Sequence, residues 1–576
     1  MLLILIFFVS FSSLLDFSTM QSCCRREWWK DAVLYQIYPR SFKDSDGDGI
    51  GDINGIIEKL DYFTFLGIQG LWLSPMYKSP MKDFGYDISN LTDIDPLFGN
   101  LEDFKNLLEA AHKRDLKIIM DFVPNHTSDQ HPWFQKSLKR EDPYTDYYVW
   151  RDGDKDKIPN NWLSVFGRTS WTWYDERKQW NYHAFIPEQP DLNYENPRVL
   201  EDMKKALAFW MDLGVDGFRY DAVVNLIEDQ RFLDEPLSGD PNAKPIEHEY
   251  LRHIYTEDLP KIFTTLKEFS EVIKDFETKT GRDNLIVSEA YVTPKVSMEY
   301  YELSDIDMPY NFGLTYLNKT CDVSCYSEKI KEWMDVMSRN RWPNWVVSNH
   351  DRARISTRVG EQYIDAIHSL MLLLPGTPQF YYGDEIGMEN INVTFEETQD
   401  PWGKNLGPVR YVLYSRDPNR SPMQWDASHM AGFTTANISW LPVHPDYKTR
   451  NVEVQKIRKF SHLNIFRALV WLRKYPSFRD KNLFYGPITD NIYSFGRYMP
   501  GNRGFYIILN LGHQPDTYPY DQHPKKMQDH ASNVILFTGS LQDTYKVGQE
   551  IDLKDLRLNP GDGLVLTGKY NNLFPN

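Results

Sequence analysis

The sequence predicts an α/β fold: a (β/α)8 barrel of parallel strands, interrupted after its third strand by a small inserted domain and followed by a C-terminal antiparallel β-sandwich. Three observations carry this. Short β-rich runs alternate with helical periods through eight units. Residues 127–195 part the third strand from its helix and are rich in Trp, Tyr, Asp and Pro, which suits a packed unit better than a loop. From about residue 480 the helical period gives way to alternating runs between turn residues.

The elements follow in order. Strands are expected at 33–38 (VLYQIY), 71–74 (LWLS), 116–122 (LKIIMDF) and 214–221 (GVDGFRYD). Four more are expected at 284–289, 306–312, 345–349 and 378–382. A helix with Leu101, Phe104, Leu108 and Ala111 on one face precedes the third strand, capped by Asn100. Asn196-Pro197 opens another, with a Leu200, Met203, Leu207 and Trp210 stripe. A third carries Ile262, Leu266, Phe269, Ile273 and Phe276. Beyond 480, runs at 491–498, 504–511, 533–538 and 563–567 read as sandwich strands. The implied division is a leader (1–20), a TIM barrel (27–126 and 196–480), the insert (127–195) and the sandwich (481–576). A doubly wound open sheet is the alternative, but no Gly-rich phosphate loop follows the first strand.

Lys and Arg total 64 against 81 Asp and Glu, a net charge of −17, which argues against a nucleic-acid partner. Residues 1–15 form the only long apolar run; they read as a signal-peptide core, without its usual positive start. No stable membrane span is expected, and the chain is expected to be secreted; an uncleaved anchor is the rival. Cys321 and Cys325 are spaced to close a small disulfide loop in an oxidising compartment, while the sequence does not settle Cys23 and Cys24. N-x-S/T sequons begin at Asn90, Asn125, Asn318, Asn392, Asn419 and Asn437; Asn318, Asn392 and Asn437 are expected to be exposed.

In a β/α barrel the active site lies at the carboxyl ends of the strands. Asp121, Asp221, Glu289 and Asp351 fall there, with His126 and His350 beside two of them. Converging carboxylates repel, so four together point to catalysis. Separately, DSDGDGIGD (44–52) offers Asp44, Asp46, Asp48, the Ile50 carbonyl and Asp52 at alternate positions. That spacing suits a hard divalent cation, with Gly47 and Gly49 allowing the wrap. It begins like an EF-hand, yet Gly55 stands where the bidentate Glu belongs.

DFVPNH (121–126), QPDLN (189–193), GFRYD (217–221), SEAY (288–291) and NHD (349–351) together resemble the ordered motif set of the α-amylase family, glycoside hydrolase family 13. GYDI (85–88), YYGDEIGM (381–388) and RDPNRSPMQWD (416–426) narrow the resemblance to α-glucosidases and oligosaccharidases. AGFT (431–434) and WLPV (440–443) are similar to insect maltases and sucrases. The resemblance covers residues 27–570; Ser288 and Ser421 replace threonines common in the family, and neither changes an ionisable group.

The resemblance implies a retaining exo-α-glucosidase acting on maltose- or sucrose-like sugars, with transglucosylation possible. It makes Asp221 the nucleophile, Glu289 the general acid/base and Asp351 a third essential carboxylate. Arg219, two residues before Asp221 on the same strand face, would keep it ionised and aimed. Asp87 and Arg416 would grip the 4-hydroxyl of the terminal glucose and close the pocket. His126 and His350 would donate to ring hydroxyls, and Phe166 and Phe185 would line the cleft. Relatives with the 44–52 loop hold structural Ca²⁺; no organic cofactor is implied. Ala222, next to the nucleophile, borders the aglycone side, where valine accompanies α-1,6 preference and alanine α-1,4. Two rivals stand beside this reading. One is a non-catalytic ectodomain or receptor on the same scaffold, which tends to lose the carboxylates. The other is a sugar isomerase or transferase, separated from a hydrolase by its products.

Overall fold

Eight parallel strands wrap into a nearly closed barrel in the computed structural model, which describes residues 26–568 apart from 540, 542 and 543. The leader reading at 1–20 and the state of Cys23 and Cys24 lie outside the described residues. The strands are β1 (Leu34–Ile37), β2 (Gly70–Leu73), β3 (Lys117–Phe122) and β4 (Gly217–Tyr220), then β5 (Leu285–Ser288), β6 (Met308–Pro309), β7 (Asn344–Val346) and β8 (Thr377–Tyr381). They neighbour one another in the order β6-β5-β4-β3-β2-β1-β8-β7. Every residue of β1, β2, β4 and β5 is buried, as strands covered on both faces require.

The barrel's seam falls between β6 and β7. The run 306–312 was expected to be a full strand and is two residues long. Pro309 has no N–H to offer on the side that faces β7, so no ladder forms there, although Tyr310 N still donates to Ser288 O of β5 at 3.0 Å. A side chain spans the gap instead. Asn344 on β7 donates its Nδ2 to Pro309 O at 2.7 Å and accepts from Asn311 N at 2.8 Å.

The outer helices form for local reasons that the sequence states. Leu101–His112 starts in a capping box, Asn100 and Asp103 each accepting from the other's backbone. Pro197–Leu213 begins on Asn196 with proline at its first position and ends on Gly214 in the left-handed region. It buries Met203, Leu207 and Trp210 but leaves Leu200 half-exposed. Lys261–Thr280 buries Ile262, Leu266, Phe269 and Ile273. Each such side chain contributes about 1.5–3 kcal/mol by leaving water.

Between β3 and Pro197, the chain makes its own antiparallel sheet from Trp150–Arg151, Gln179–Tyr182 and Trp171–Tyr174. Trp162, Trp171, Trp180 and Tyr182 fill a small core beneath it. A bridge between His126 and Asp191 brings the segment back to where it left. After the barrel comes a five-stranded antiparallel sheet that includes Ile492–Arg497, Phe505–Asn510, Asn533–Phe537 and Gly563–Thr567. Its fifth strand, Phe484–Ile488, was not anticipated; the opposing sheet has only two strands, Asp516–Thr517 and Arg557–Leu558. Cys321 and Cys325 are joined in a disulfide. Among the described residues no helix is long and apolar enough to cross a membrane.

Candidate active site

Register places the first members of the site. Asp121 on β3 lies directly opposite Arg219 on β4. Asp221 and Glu289 follow immediately after β4 and β5, and their backbones hydrogen-bond onto the neighbouring strands (Asp221 N to Phe122 O, Glu289 N to Tyr220 O, each 2.9 Å). Asp351 sits beyond β7 on a turn, its N–H fixed by Asn349 Oδ1 at 3.0 Å.

Arg219 is the hub. It is 1% exposed, so its charge has no water to rely on. Its Nη1 contacts Asp121 Oδ1 at 2.7 Å and also Asp221 Oδ1; its Nη2 meets Glu289 Oε1 at 2.7 Å. Glu289 Oε2 also accepts from Ala222 N at 3.2 Å. One guanidinium thus serves three carboxylates. Burial pushes Asp121 up to about 6 against the pull of Arg219. Burial likewise raises Asp221, with Arg219 opposing and the charges of Glu289, Asp121 and Asp351 adding to the rise. Burial and mutual repulsion thus oppose the ionised form of both aspartates, and the Arg219 guanidinium is the counterweight that favours it.

A second cluster faces it. Arg416 binds Asp400 through Nε (3.2 and 3.1 Å) and Nη2 (2.7 Å), Asp83 through Nη2 (2.8 Å) and Asp351 through Nη1 (3.2 Å). Arg420 Nη2 adds a contact to Asp351 Oδ1 at 3.0 Å. Burial works to raise Asp351, but the guanidiniums of Arg416 and Arg420 outweigh it and hold it well below the usual carboxylate range. Arg416 also lies 4.6 Å over the Phe166 ring, which stacks on Trp402 at 5.2 Å. Phe185 packs edge-on against Phe166 and His126.

The expected Asp87–Arg416 pair does not form. Asp87 is fully buried and its carboxylate is consumed locally by Lys82 N (2.8 Å), Asp83 N (2.9 Å) and Ser79 Oγ (3.0 Å). Asp83, four residues earlier, is the acid of this turn that pairs with Arg416. Asp87 instead holds the turn that presents Asp83.

The histidines are both neutral, their pKa values lowered by burial, His126 to about 3. His350 Nε2 lies 2.8 Å from Tyr86 OH and 3.2 Å from Asp351 Oδ2, and its ring stacks on Tyr86. His126 Nε2 lies 3.2 Å from Tyr86 O and 3.0 Å from Gln189 Nε2. Tyr86, which donates to Asp121 at 3.0 Å, therefore ties both histidines to the carboxylates. Asp83, Tyr86, Asp400, Trp402 and Arg420 were not singled out from sequence. Tyr86 lies inside GYDI with Asp83 two residues before the motif, and Arg420 lies inside RDPNRSPMQWD, so the motifs themselves held that signal.

In the 44–52 loop, the carboxylates of Asp44, Asp46 and Asp48 lie within 4.8 Å of one another. Gly47 and Gly49 take φ of 85° and 93°, and a Cβ on Gly49 would meet Ile438 O at 2.6 Å, so the loop is wrapped tightly. Burial and the neighbouring acids raise Asp48, whereas Asp44, which burial works to raise, is lowered by the Thr434 hydroxyl and the N–H groups of Gly47, Gly49 and Asp46. These three fit a hard cation. Asp52 does not join them: it caps the helix Ile53–Glu58 by accepting from Gly55 N at 2.7 Å, with Ser45 N and Oγ on it at 2.7 Å.

Residues 36–481 match the family model described as the alpha amylase catalytic domain. An alpha-glucosidase of Apis mellifera is 46% identical over 506 residues, covering 86% of this chain and 88% of that protein. Maltase A1 of Drosophila melanogaster is 42% identical over 94% of this chain and 96% of its own length. The crystal structure of XgtA, an alpha-glucosyl transfer enzyme, superposes with a TM-score of 0.83 at 33% identity, over 95% of this chain and all of that one (100%).

Proposed function

The chain belongs to the α-amylase family of glycoside hydrolases, and from that premise we propose that it is a retaining, exo-acting α-glucosidase of the maltase/sucrase type. The observation that carries the reading is Arg219 holding Asp221 and Glu289 at once. Asp221 attacks the anomeric carbon while Glu289 gives its proton to the leaving oxygen. The glucosyl ester on Asp221 is then opened by water, from which Glu289 takes the proton back. Asp121 and Arg219 position the nucleophile. Asp351, kept ionised by two arginines, binds sugar hydroxyls, and neutral His350 and His126 add hydrogen bonds.

Asp83 and Arg416, with Phe166 and Trp402 against the guanidinium, form the closed end and receive the terminal glucose. A closed end permits cleavage of single glucose units only. A second sugar in place of water gives transglucosylation, a branch supported by the likeness to a glucosyl transfer enzyme. The test is product analysis on maltose, sucrose and isomaltose with early-time anomer detection. α-Glucose released singly from the non-reducing end is expected; β-glucose, or internal cleavage of longer oligosaccharides, would overturn the reading.

Asp44, Asp46 and Asp48, with the Ile50 carbonyl, are proposed to hold one structural Ca²⁺. An ion bound only by the native state stabilises by mass action. Chelation should lower Tm and added Ca²⁺ restore it; an unchanged melt with no metal by elemental analysis defeats the assignment. The leader-like start and the presence of salivary alpha-glucosidases among the relatives support secretion.

A further inference from the structure

The structure sorts the six sequons. Asn125 and Asn419 are buried with their amide nitrogens spent, Nδ2 donating to Asp191 Oδ2 at 2.9 Å and to His350 O at 2.8 Å respectively. Asn318, Asn392 and Asn437 stand exposed. Asn90 differs from both groups. It opens the strand Asn90–Ile94, is half-buried, and lines a groove of about 800 Å³ between that strand, the helix Pro132–Leu138 and the helix Pro197–Leu213. That size falls in the usual range of small-ligand sites, roughly 300–1,000 Å³.

The groove's lining suits sugar. Two half-buried aromatic rings, Trp133 and Phe209, sit among Gln130, Thr92, Lys205 and Asp202. Aromatic faces take the C–H faces of pyranose rings, and the polar groups meet the hydroxyls. The folded geometry leaves Asn90 able to carry a sugar. Its Oδ1 accepts from Thr92 N at 3.1 Å and Thr92 Oγ1 at 3.2 Å, leaving Nδ2 for the sugar. Asn318, on open surface, shows the same arrangement with Thr320 (2.9 and 2.6 Å).

We infer that Asn90 carries an N-linked glycan whose first sugars are seated in this groove against Trp133 and Phe209. The attachment follows from the reading that the chain enters the secretory pathway. Asn90 Nδ2 bonds to the anomeric carbon of a lipid-linked oligosaccharide, the lipid pyrophosphate leaves, and the amide proton passes to base. Transfer precedes closure of the groove, because the strand and the two helices that wall it are far apart in sequence. Tethering then makes seating intramolecular, with an effective concentration in the millimolar range, so even a weak sugar site fills.

The test uses the full chain secreted from insect cells. Glycopeptide mass spectrometry should find Asn90 occupied. Peptide:N-glycosidase acting on the native protein should release the Asn90 glycan at least about tenfold more slowly than the glycans at Asn318, Asn392 and Asn437. Denaturation should erase the difference. Trp133→Ala, in protein secreted at normal yield, should speed native release at Asn90 alone. A bare Asn90 in secreted protein, or native release there as fast as at the exposed sites, overturns the inference, and the wild-type comparison decides it even where Trp133→Ala does not fold.

Discussion

Two arginine-centred clusters meet across the active site and treat their carboxylates in opposite ways. Around Arg219, three acids share one guanidinium, and burial pushes Asp121 up to about 6 and Asp221 upward as well. Around Arg416, a second arginine joins, and Asp351 and Asp400 are held below the ordinary range because the attraction of the guanidiniums exceeds the cost of burial. Asp83 is the exception: burial raises it, since Asp400 takes most of the Arg416 fork. The difference teaches what each half is for. In the Arg219 half, burial and repulsion oppose ionisation, and a single guanidinium is what favours the charged Asp221 that attacks. A sugar grip needs paired carboxylates that stay ionised and accept hydrogen bonds.

The largest effect should come from the Arg219 half. Glu289→Gln keeps the shape and the contact to Arg219 but has no proton to exchange. General acid/base steps are worth about 10²–10⁴-fold, so kcat on maltose should fall by that factor while sugar still binds. Near-normal turnover would place the exchanged proton elsewhere in the cluster.

Next comes the balanced half. Arg416→Met leaves Asp83 and Asp400 buried without their cation, and losing one partner of a buried pair costs about 3–5 kcal/mol. Urea unfolding should show that loss, and adding Asp400→Asn should recover part of it. Within this half, Asp83→Asn should raise KM strongly. Asp87→Asn should chiefly lower stability, because its carboxylate meets only its own turn among the described contacts. The reverse pattern would restore Asp87 to the sugar grip.

The two halves should also separate with pH. Asp121 is raised, so protonating it favours the fold: that contribution is full below about pH 4 and is lost as pH rises through about 6. Asp351 and Asp400 are lowered, so their contribution is full above about pH 4 and is lost only as pH falls further. From pH 7 down to about 4.5, kcat/KM should fall as the Arg219 cluster takes up protons, while Tm holds or rises. A Tm that falls in step with activity breaks the distinction.

The same contrast explains what could be read from sequence. Asp221 and Glu289 were legible because strand ends define the site and β4 and β5 are regular. The Arg416 half is built by loops, and there spacing misleads. Asp87 looks like a ligand but is spent on the N–H groups of its own turn, which no periodicity records. Asp400 reaches Arg416 only because the helical stretch Pro401–Tyr414 breaks at Gly407, where φ is 76°, and brings the chain back. Asp52 obeys the alternate spacing of a cation loop, yet a helix begins one residue later and claims it as a cap. The seam at Pro309 was in principle readable, since proline cannot continue a ladder, but the surrounding apolar run masked it.

The smallest predicted effect lies on the border of the Arg219 half. Ala222 follows the nucleophile, is 6% exposed, and takes φ of 49°, a region costly for any residue with a Cβ. Its N–H points at Glu289 Oε2 at 3.2 Å, so its backbone helps to place the acid. A valine there adds two methyl groups on the aglycone side and, being β-branched, fits the left-handed region worse than alanine does. If volume decides, Ala222→Val should lower kcat/KM for maltose and sucrose relative to isomaltose, by a ratio corresponding to about 1–3 kcal/mol. Ala222→Gly removes the strain and opens the cleft, so it should leave that ratio unchanged or move it toward maltose. If the backbone decides, valine shifts the N–H away from Glu289, and all three substrates should fall by one factor. Measuring the three kcat/KM values on the wild type and both variants separates the cases: a common factor makes Ala222 a positioning residue of the Arg219 cluster, and a changed ratio makes it the wall of the leaving-group site.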